Sequence, residues 1–191
     1  MKTFEEISLE LKTVLNQDRY AHTMGVAYTA TSLAMRYEKD IEKAMFAGLL
    51  HDCAKCYSNQ EKFAKVKSYQ IELSKIEVEN PSLIHAKLGA EVARDLYGVT
   101  DLEILNSIRY HTTGRPAMNW LEQIIFIADY IEPLRKVAPN LKTIRKESFL
   151  DLNKATTLIL ENILSYLHTR NNPIDTMTQK TYDYYSKITT I

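Results

Sequence analysis

The chain has 191 residues, a length that fits one domain with a full hydrophobic core. Its 24 lysines and arginines balance 24 aspartates and glutamates, so the sequence predicts no basic surface for nucleic acid or an anionic membrane. No apolar run reaches the roughly 18 residues that cross a bilayer, and the first residues are too acidic for a signal peptide. We therefore expect one soluble, cytoplasmic domain over residues 1–191.

Hydrophobic periodicity predicts helices along almost the whole chain. Only five glycines and five prolines are present, which is too few for a turn-rich β protein, and no bounded segment alternates strictly between apolar and polar residues. The first helices are predicted from about Phe4 and from about Asp18. A third is predicted from Ile41 to about Ala54, behind an Asp40 cap.

Capping signals divide the rest of the chain into further helices. The predicted starts are marked by Ser58, Ser82, Thr100, Asn119, Ser148 and Asp175. Three of these caps have a glutamate three residues later, the pattern of a capping box. Gly98 is expected to end the helix from Ser82, and Pro173 follows the long helix from Ser148. The sequence therefore predicts an all-α fold.

Two of the predicted helices contain an apolar run that leads directly into an acidic residue. The run 44–50 precedes His51-Asp52, and the run 124–128 precedes Asp129. A carboxylate at the edge of a core is costly unless it is paired or binds a metal, and imidazole with carboxylate suits a first-row transition metal. In the simpler alternative, His51 caps a helix end and Asp52 is solvated.

Three further histidines, His22, His85 and His111, share a helix face with apolar residues and should point into the core. A single inward histidine could be a satisfied core residue. Four of them on four helices, together with two inward aspartates, are difficult to explain by packing. Six candidate ligands exceed one tetrahedral zinc site. They suffice for two metal ions bridged by Asp52 or by water, an arrangement found in phosphatases and nucleases.

The order His22, His51-Asp52, Asp129 resembles the H…HD…D pattern of the HD superfamily, which consists of all-helical, metal-dependent phosphohydrolases. Within that superfamily the chain is similar to the bacterial YqeK-like group. Five blocks carry this resemblance: RYAHTMGVA from Arg19, GLLHDCAK from Gly48, HAKLGA from His85, HTTG from His111 and IADYIEPLR from Ile127. The HD dipeptide alone is weakly specific, whereas five blocks in this order are specific and extend over nearly the whole chain.

The resemblance implies an HD-type helical bundle with a metal site in its core. The implied reaction is symmetrical hydrolysis of diadenosine tetraphosphate to two ADP by a metal-bound hydroxide at a di-iron centre. Manganese, cobalt, nickel or zinc could replace iron in vitro. The first metal would be held by His22, His51, Asp52 and Asp129, and the second by His85 and His111 with Asp52 as the bridge.

Asp52 is expected to act in catalysis as a metal ligand. Two cationic side chains are expected to contact the phosphates of the substrate. Lys55 lies one helical turn after His51, and a guanidinium such as that of Arg135 can hold two phosphate oxygens at once. The alternatives are a solvated lysine at a helix end and a surface ion pair between Arg135 and Glu132.

The loop after His111 is also expected to contact the substrate. Thr112, Thr113 and Gly114 could place a hydroxyl and backbone N–H groups beside it. His168 falls near the end of a predicted helix, where a partly cationic imidazole is favoured, and is left out of the site. The expected partner is a small nucleotide rather than a nucleic acid or a membrane, and a homodimer remains one alternative for the assembly.

Two other functions stay open at this point. A nucleotidase or phosphodiesterase could use the same site, because the sequence defines the metal ligands better than the nucleoside pocket. A non-catalytic metal or nucleotide sensor would be expected to have a degraded ligand set, whereas this set is complete. Cys53 and Cys56 are expected to be free thiols, since neither a βαβ context nor further zinc ligands accompany them.

Overall fold

The computed structural model describes residues 2–189, and the regular elements in this range are all helical. The all-α prediction is therefore confirmed. The α-helices are α1 (Phe4–Val14), α2 (Gln17–Arg36), α3 (Ile41–Leu50), α4 (Asn59–Ser68), α5 (Lys75–Glu79), α6 (Ile84–Tyr97), α7 (Leu102–Tyr110), α8 (Trp120–Ile131), α9 (Leu141–Glu147), α10 (Leu152–Thr169) and α11 (Thr176–Ile188). No helix among these residues is long and apolar enough to cross a membrane.

The centre of the structure is built around α2, α3 and α8. α2 packs against α3, and α8 contacts α2, α3, α7 and α10, while α6 and α7 pack on each other. Leu33, Leu50 and Ile125 are among the fully buried residues of the central helices. Burial of such apolar faces stabilises helices that would be marginal in isolation. This packing brings together the start of α2, the ends of α3 and α7, the start of α6 and the last turn of α8.

The helix predicted from Ile41 to about Ala54 is wrong at its end, because α3 is shorter. The His51 ring turns back, and its Nδ1 donates a hydrogen bond to the Gly48 carbonyl at 2.7 Å. The ring therefore satisfies an oxygen that a longer helix would have paired with the Asp52 N–H. The chain continues in a 3-10 turn, Cys53–Cys56.

Three of the predicted helix starts are confirmed, since the caps at Ser58, Asn119 and Asp175 accept the expected backbone N–H groups. The start at Thr100 is wrong by one residue. Asp101 caps α7 instead, because its carboxylate accepts from two backbone N–H groups and its charge favours the positive helix end.

The starts predicted at Ser148 and Ser82 are also wrong. Ser148 ends α9, with its hydroxyl donating to the Ile144 carbonyl at 2.7 Å, and Asp151 caps α10. Ser82 lies within a 3-10 turn, Pro81–Leu83, and α6 begins after it without a side-chain cap. The proline restricts the backbone before the helix, so the chain enters α6 through this tighter turn.

Candidate metal centre

Four ligand atoms from α2, α8 and the end of α3 converge at one point of the core. His22 Nε2 lies 3.3 Å from His51 Nε2 and 3.1 Å from Asp129 Oδ1. Asp52 Oδ2 completes the group at 3.5 Å from His51 Nε2 and 3.8 Å from His22 Nε2. We call these four side chains the first cluster. Its spacing allows all four atoms to approach one ion.

A second cluster is formed by His85, His111 and the other oxygen of Asp52. The two imidazole Nε2 atoms are 3.0 Å apart, and Asp52 Oδ1 lies 3.2 Å from His85 and 3.6 Å from His111. The ligand atoms of His51, Asp52 and His111 also lie within 4.8 Å of one another, so the clusters are adjacent. The Asp52 carboxylate lies between them and offers one oxygen to each.

Backbone carbonyls set the proton position on three of the four imidazoles. The Nδ1 atoms of His51, His85 and His111 each contact the carbonyl three residues earlier, at 2.7, 2.5 and 2.7 Å respectively. A carbonyl can only accept, so Nδ1 carries the proton and a neutral ring presents a bare lone pair at Nε2. This is the form of histidine that binds metals.

The residues fit a divalent metal. Burial lowers the pKa of His85 to about 4, although the neighbouring Asp52 carboxylate opposes this, so the ring is neutral at pH 7. The lone pairs of His85 and His111 then face each other at 3.0 Å, which is repulsive unless a cation lies between them. Asp52 Oδ1 is buried and accepts no well-formed hydrogen bond. A cation would resolve both defects, and these nitrogen and oxygen donors suit a transition metal.

Both aspartates are in the charged form that coordinates metals. Burial acts to raise the pKa of Asp52, but His51 and the other imidazoles around it lower that pKa well below its usual value. Burial also acts to raise the pKa of Asp129, but the hydrogen bond from His22 lowers that pKa below its usual value. The alternative of a solvated Asp52 is wrong, because this residue is 2% exposed. The predicted capping by His51 is confirmed at the Gly48 carbonyl, and the same ring also places its Nε2 in the first cluster.

Glu132 supports the remaining imidazole and was not predicted as a site residue. It is 2% exposed, and its Oε1 lies 3.3 Å from His22 Nδ1, while Oε2 accepts from the Leu134 N–H at 2.6 Å. Gly25 leaves room for it, since a Cβ there would lie 2.8 Å from Oε2. A carboxylate behind a metal-binding histidine fixes the ring and raises its basicity. The available signal was a glutamate one helical turn after Asp129.

Arg19 also reaches the first cluster, which the sequence analysis did not predict. Its Nη1 donates to Asp52 Oδ2 at 2.8 Å, and its side chain is 39% exposed. Arg19 begins the first sequence block and lies one turn before His22 on α2, so helical spacing could have identified it.

A cleft of about 650 Å³ lies beside the first cluster. It is lined by Asn16, Gln17, Asp18, Arg19, His22, Glu132, Leu134, Arg135, Lys136 and Val137. Arg135 Nη2 donates to the Asp129 carbonyl at 3.0 Å and lies 3.7 Å from its Oδ1. The alternative of an Arg135–Glu132 ion pair is therefore wrong, and the guanidinium lies between the cleft and the cluster.

The loop residues predicted to contact substrate lie on another side of the centre. Thr112 and Thr113 line a separate pocket of about 150 Å³, and the Thr113 hydroxyl donates to the Gly114 carbonyl at 2.9 Å. Gly114 has φ +62°, and a Cβ there would lie 2.7 Å from Thr181 Cγ2, so it faces α11. The substrate role of this loop stays a prediction.

The remaining predicted residues are Lys55 and the two cysteines. Lys55 is half-buried on the turn after Asp52, so it is not a fully solvated lysine. Cys53 and Cys56 are free. Burial raises the pKa of the Cys53 thiol above its ordinary value, which disfavours the reactive thiolate.

The chain matches known proteins over the region that builds this centre. The HD domain family matches residues 19–134. A Bacillus subtilis protein named symmetrical bis(5'-nucleosyl)-tetraphosphatase is 38% identical over 94% of this chain and 96% of its own. A Halalkalibacterium halodurans protein with the same name is 39% identical over 91% of each chain.

A solved structure also matches the chain over nearly its whole length. It is of a Clostridium acetobutylicum protein described as a "predicted HD superfamily hydrolase involved in NAD metabolism", and it superposes with a TM-score of 0.94 at 36% identity. The match covers 98% of this chain and 99% of that one. HD domains are metal-binding hydrolase domains, in keeping with the His and Asp clusters here. The chain therefore belongs to the HD-domain family, in the group that contains these two tetraphosphatases.

Proposed function

We propose that this chain hydrolyses diadenosine tetraphosphate symmetrically into two ADP, acting as a single domain. Two relatives that carry this activity in their names cover more than nine-tenths of the chain. The observation that carries the proposal is the Asp52 carboxylate shared by two histidine clusters beside a cleft with three cationic side chains. Both features suit a substrate with several phosphates, such as a dinucleoside polyphosphate.

We infer a two-metal centre with the ligands divided by cluster. His22, His51, Asp52 and Asp129 would hold one ion, and His85 and His111 would hold the other with Asp52 as bridge. Iron is the proposed metal, and the same donors accept manganese, cobalt, nickel or zinc. Bound metal ions supply Lewis acidity and an activated water for attack at phosphorus.

The protein's own cations would orient the phosphates. Arg135 keeps its Nη2 on the Asp129 carbonyl, and its side chain is 39% exposed and lines the cleft, so the guanidinium can meet a phosphate there. Lys55 would approach from the side of the 3-10 turn. Fixed cations of this kind stabilise charge that develops on the phosphoryl oxygens during transfer. Thr112, Thr113 and Gly114 remain proposed contacts for substrate near His111.

The test is metal analysis of protein purified without chelator, followed by product identification from diadenosine tetraphosphate. We expect about two transition-metal ions per chain and ADP as the only nucleotide product. Equal yields of AMP and ATP would reject symmetrical cleavage, and full activity without bound metal would reject the centre. NAD, cyclic nucleotides and mononucleotides belong in the substrate panel, because the Clostridium protein is described as involved in NAD metabolism.

A further inference from the structure

An arginine from outside the metal centre holds the end of α8. Arg145 lies half-buried on α9, and its Nε donates to the Ile131 carbonyl at 2.9 Å. Its Nη2 donates to the carbonyls of Glu132 at 2.8 Å and Arg135 at 3.1 Å. None of the ion pairs among residues 2–189 includes Arg145. The guanidinium is therefore directed at backbone carbonyls rather than at a carboxylate.

These carbonyls belong to the last turn of α8 and to the turn that follows it. The last four carbonyls of a helix have no partner within the helix, and a cation is favoured at that end. In the next turn the Arg135 N–H donates to the Glu132 carbonyl at 3.0 Å, and Pro133 restricts the backbone between them. Arg145 thus fixes both the helix end and this turn.

The position of Arg145 is itself set by contacts with the core. Its neighbour in the sequence, Ile144, is fully buried, and α9 packs against α8 and α10. The chain that leads into α9 is also held, because the Asn162 side chain of α10 donates to the Pro139 carbonyl at 2.7 Å. Arg145 therefore ties the end of α8 to an anchored part of the structure.

The turn held by Arg145 carries two side chains that serve the first cluster. Glu132 lies against His22 Nδ1, and Arg135 lines the cleft and donates to the Asp129 carbonyl. Because Arg145 binds the backbone of both residues, a shift of this turn would move both side chains. A displacement of about 1 Å in a positioned group can lower a rate about 100-fold.

We propose that Arg145 is a positioning residue for the first cluster. It does not line the cleft, and it acts by holding Glu132 behind His22 and Arg135 beside the cleft. The part that acts through Arg135 rests on the proposed function, since it requires a phosphate in the cleft. The part that acts through Glu132 concerns metal affinity and does not depend on the substrate.

Binding of a transition metal alone to chelated protein tests the part that acts through Glu132. Arg145→Met removes the guanidinium but keeps an apolar stem, and we expect the first site to bind metal about tenfold more weakly. The second site should be unchanged, because His85 and His111 are backed by carbonyls of their own segments. Lys146→Met is the matched control, with the same charge change at the next, exposed position.

A double-mutant cycle with Arg135→Ala tests the other part, at saturating metal. Arg145→Met alone should lower the catalytic efficiency for diadenosine tetraphosphate at least about tenfold. With Arg135 already replaced by alanine, the same change should lower it by no more than about twofold, because the side chain that it positions is absent. A residue that only stabilises the fold would have the same effect in both backgrounds.

Equal weakening of the two metal sites would overturn the proposal, and so would an equal loss of efficiency in both backgrounds. Arg145→Lys keeps the charge but not the planar fork. It is the second variant if Arg145→Met does not fold, with the same pattern expected at a smaller size. A wild type that leaves diadenosine tetraphosphate intact, with only the first metal site weakened in the variants, would reject the proposed reaction and retain the positioning role.

Discussion

The two clusters share Asp52 but differ in how each is built. The first has two carboxylates, borders the cleft and is backed by Glu132. In the second, both His85 and His111 are buried and are backed by backbone carbonyls. An ion in the first cluster meets more negative charge and can meet the substrate, whereas one in the second depends on neutral rings and half of one carboxylate. We therefore expect the first site to bind its metal more tightly.

The largest effect should follow from Asp52→Asn, because this residue supports both clusters. We expect loss of both metals and a fall in turnover on the order of 10³-fold or more. Metal content and product formation measure this. Asp95→Asn, at an exposed site, is the control. Retention of one full metal equivalent would show that the clusters are independent of Asp52.

Arg135→Ala should distinguish the role of the cleft in substrate binding from metal binding. Loss of a charged phosphate contact from a partly buried site costs about 2–5 kcal/mol, so catalytic efficiency should fall strongly while metal content stays unchanged. Arg135→Lys should restore only part of it, because a point charge cannot hold two oxygens. Arg170→Ala, at an exposed position, should be neutral. A fully active Arg135→Ala would remove this arginine from the reaction.

His85→Ala should distinguish the two clusters directly. We expect loss of the second metal only, with turnover reduced on the order of 10²-fold. Titration of chelated protein with metal, followed by metal analysis, would give one equivalent instead of two. His168→Ala is the matched control, since that histidine is exposed and its ring donates to the Leu164 carbonyl on its own helix. Loss of both metals in His85→Ala would contradict the assignment of separate sites.

Glu132→Gln should weaken the first site and leave the second intact. Supporting residues of this kind change metal affinity by about 10- to 100-fold, because they orient the histidine and raise its basicity. Metal dissociation constants for the two sites would report this in Glu132→Gln and in the exposed control Glu161→Gln. Equal weakening of both sites would indicate a general disturbance rather than a local one at His22.

The smallest effect concerns the pH dependence of stability in chelated protein. Burial lowers the pKa of His85 from 6.5 to about 4, so the unfolded chain binds a proton at a higher pH than the folded protein does. The unfolded state is therefore favoured as the pH falls. Between about pH 7 and 5.5 the free energy of unfolding of the wild type should fall by about 1 kcal/mol more than that of His85→Asn. Denaturant titrations of both proteins test this, and a constant difference would contradict it.

The sequence alone was sufficient for the fold class and for the six histidines and aspartates that come together in the core, whereas their role as metal ligands stays a prediction. Apolar periodicity defined the helices, and histidines or aspartates on apolar faces could only point inward, as the burial of His51, Asp52 and His85 illustrates. These inferences succeeded because helical spacing is a local property. Local signals also misplaced helix starts where two capping residues stood side by side, as at Thr100 and Asp101.

Only the tertiary structure decided how those residues are distributed between the two clusters and which side chains support them. Asp52 presents different oxygens to the two clusters because α3, which packs on α2 and α7, ends early, and the 3-10 turn that follows packs on α6. Glu132 and Arg19 join the site through contacts with residues 110 and 33 positions away. Helical spacing places them on the faces of Asp129 and His22, but only the packed helices decide which atoms they reach.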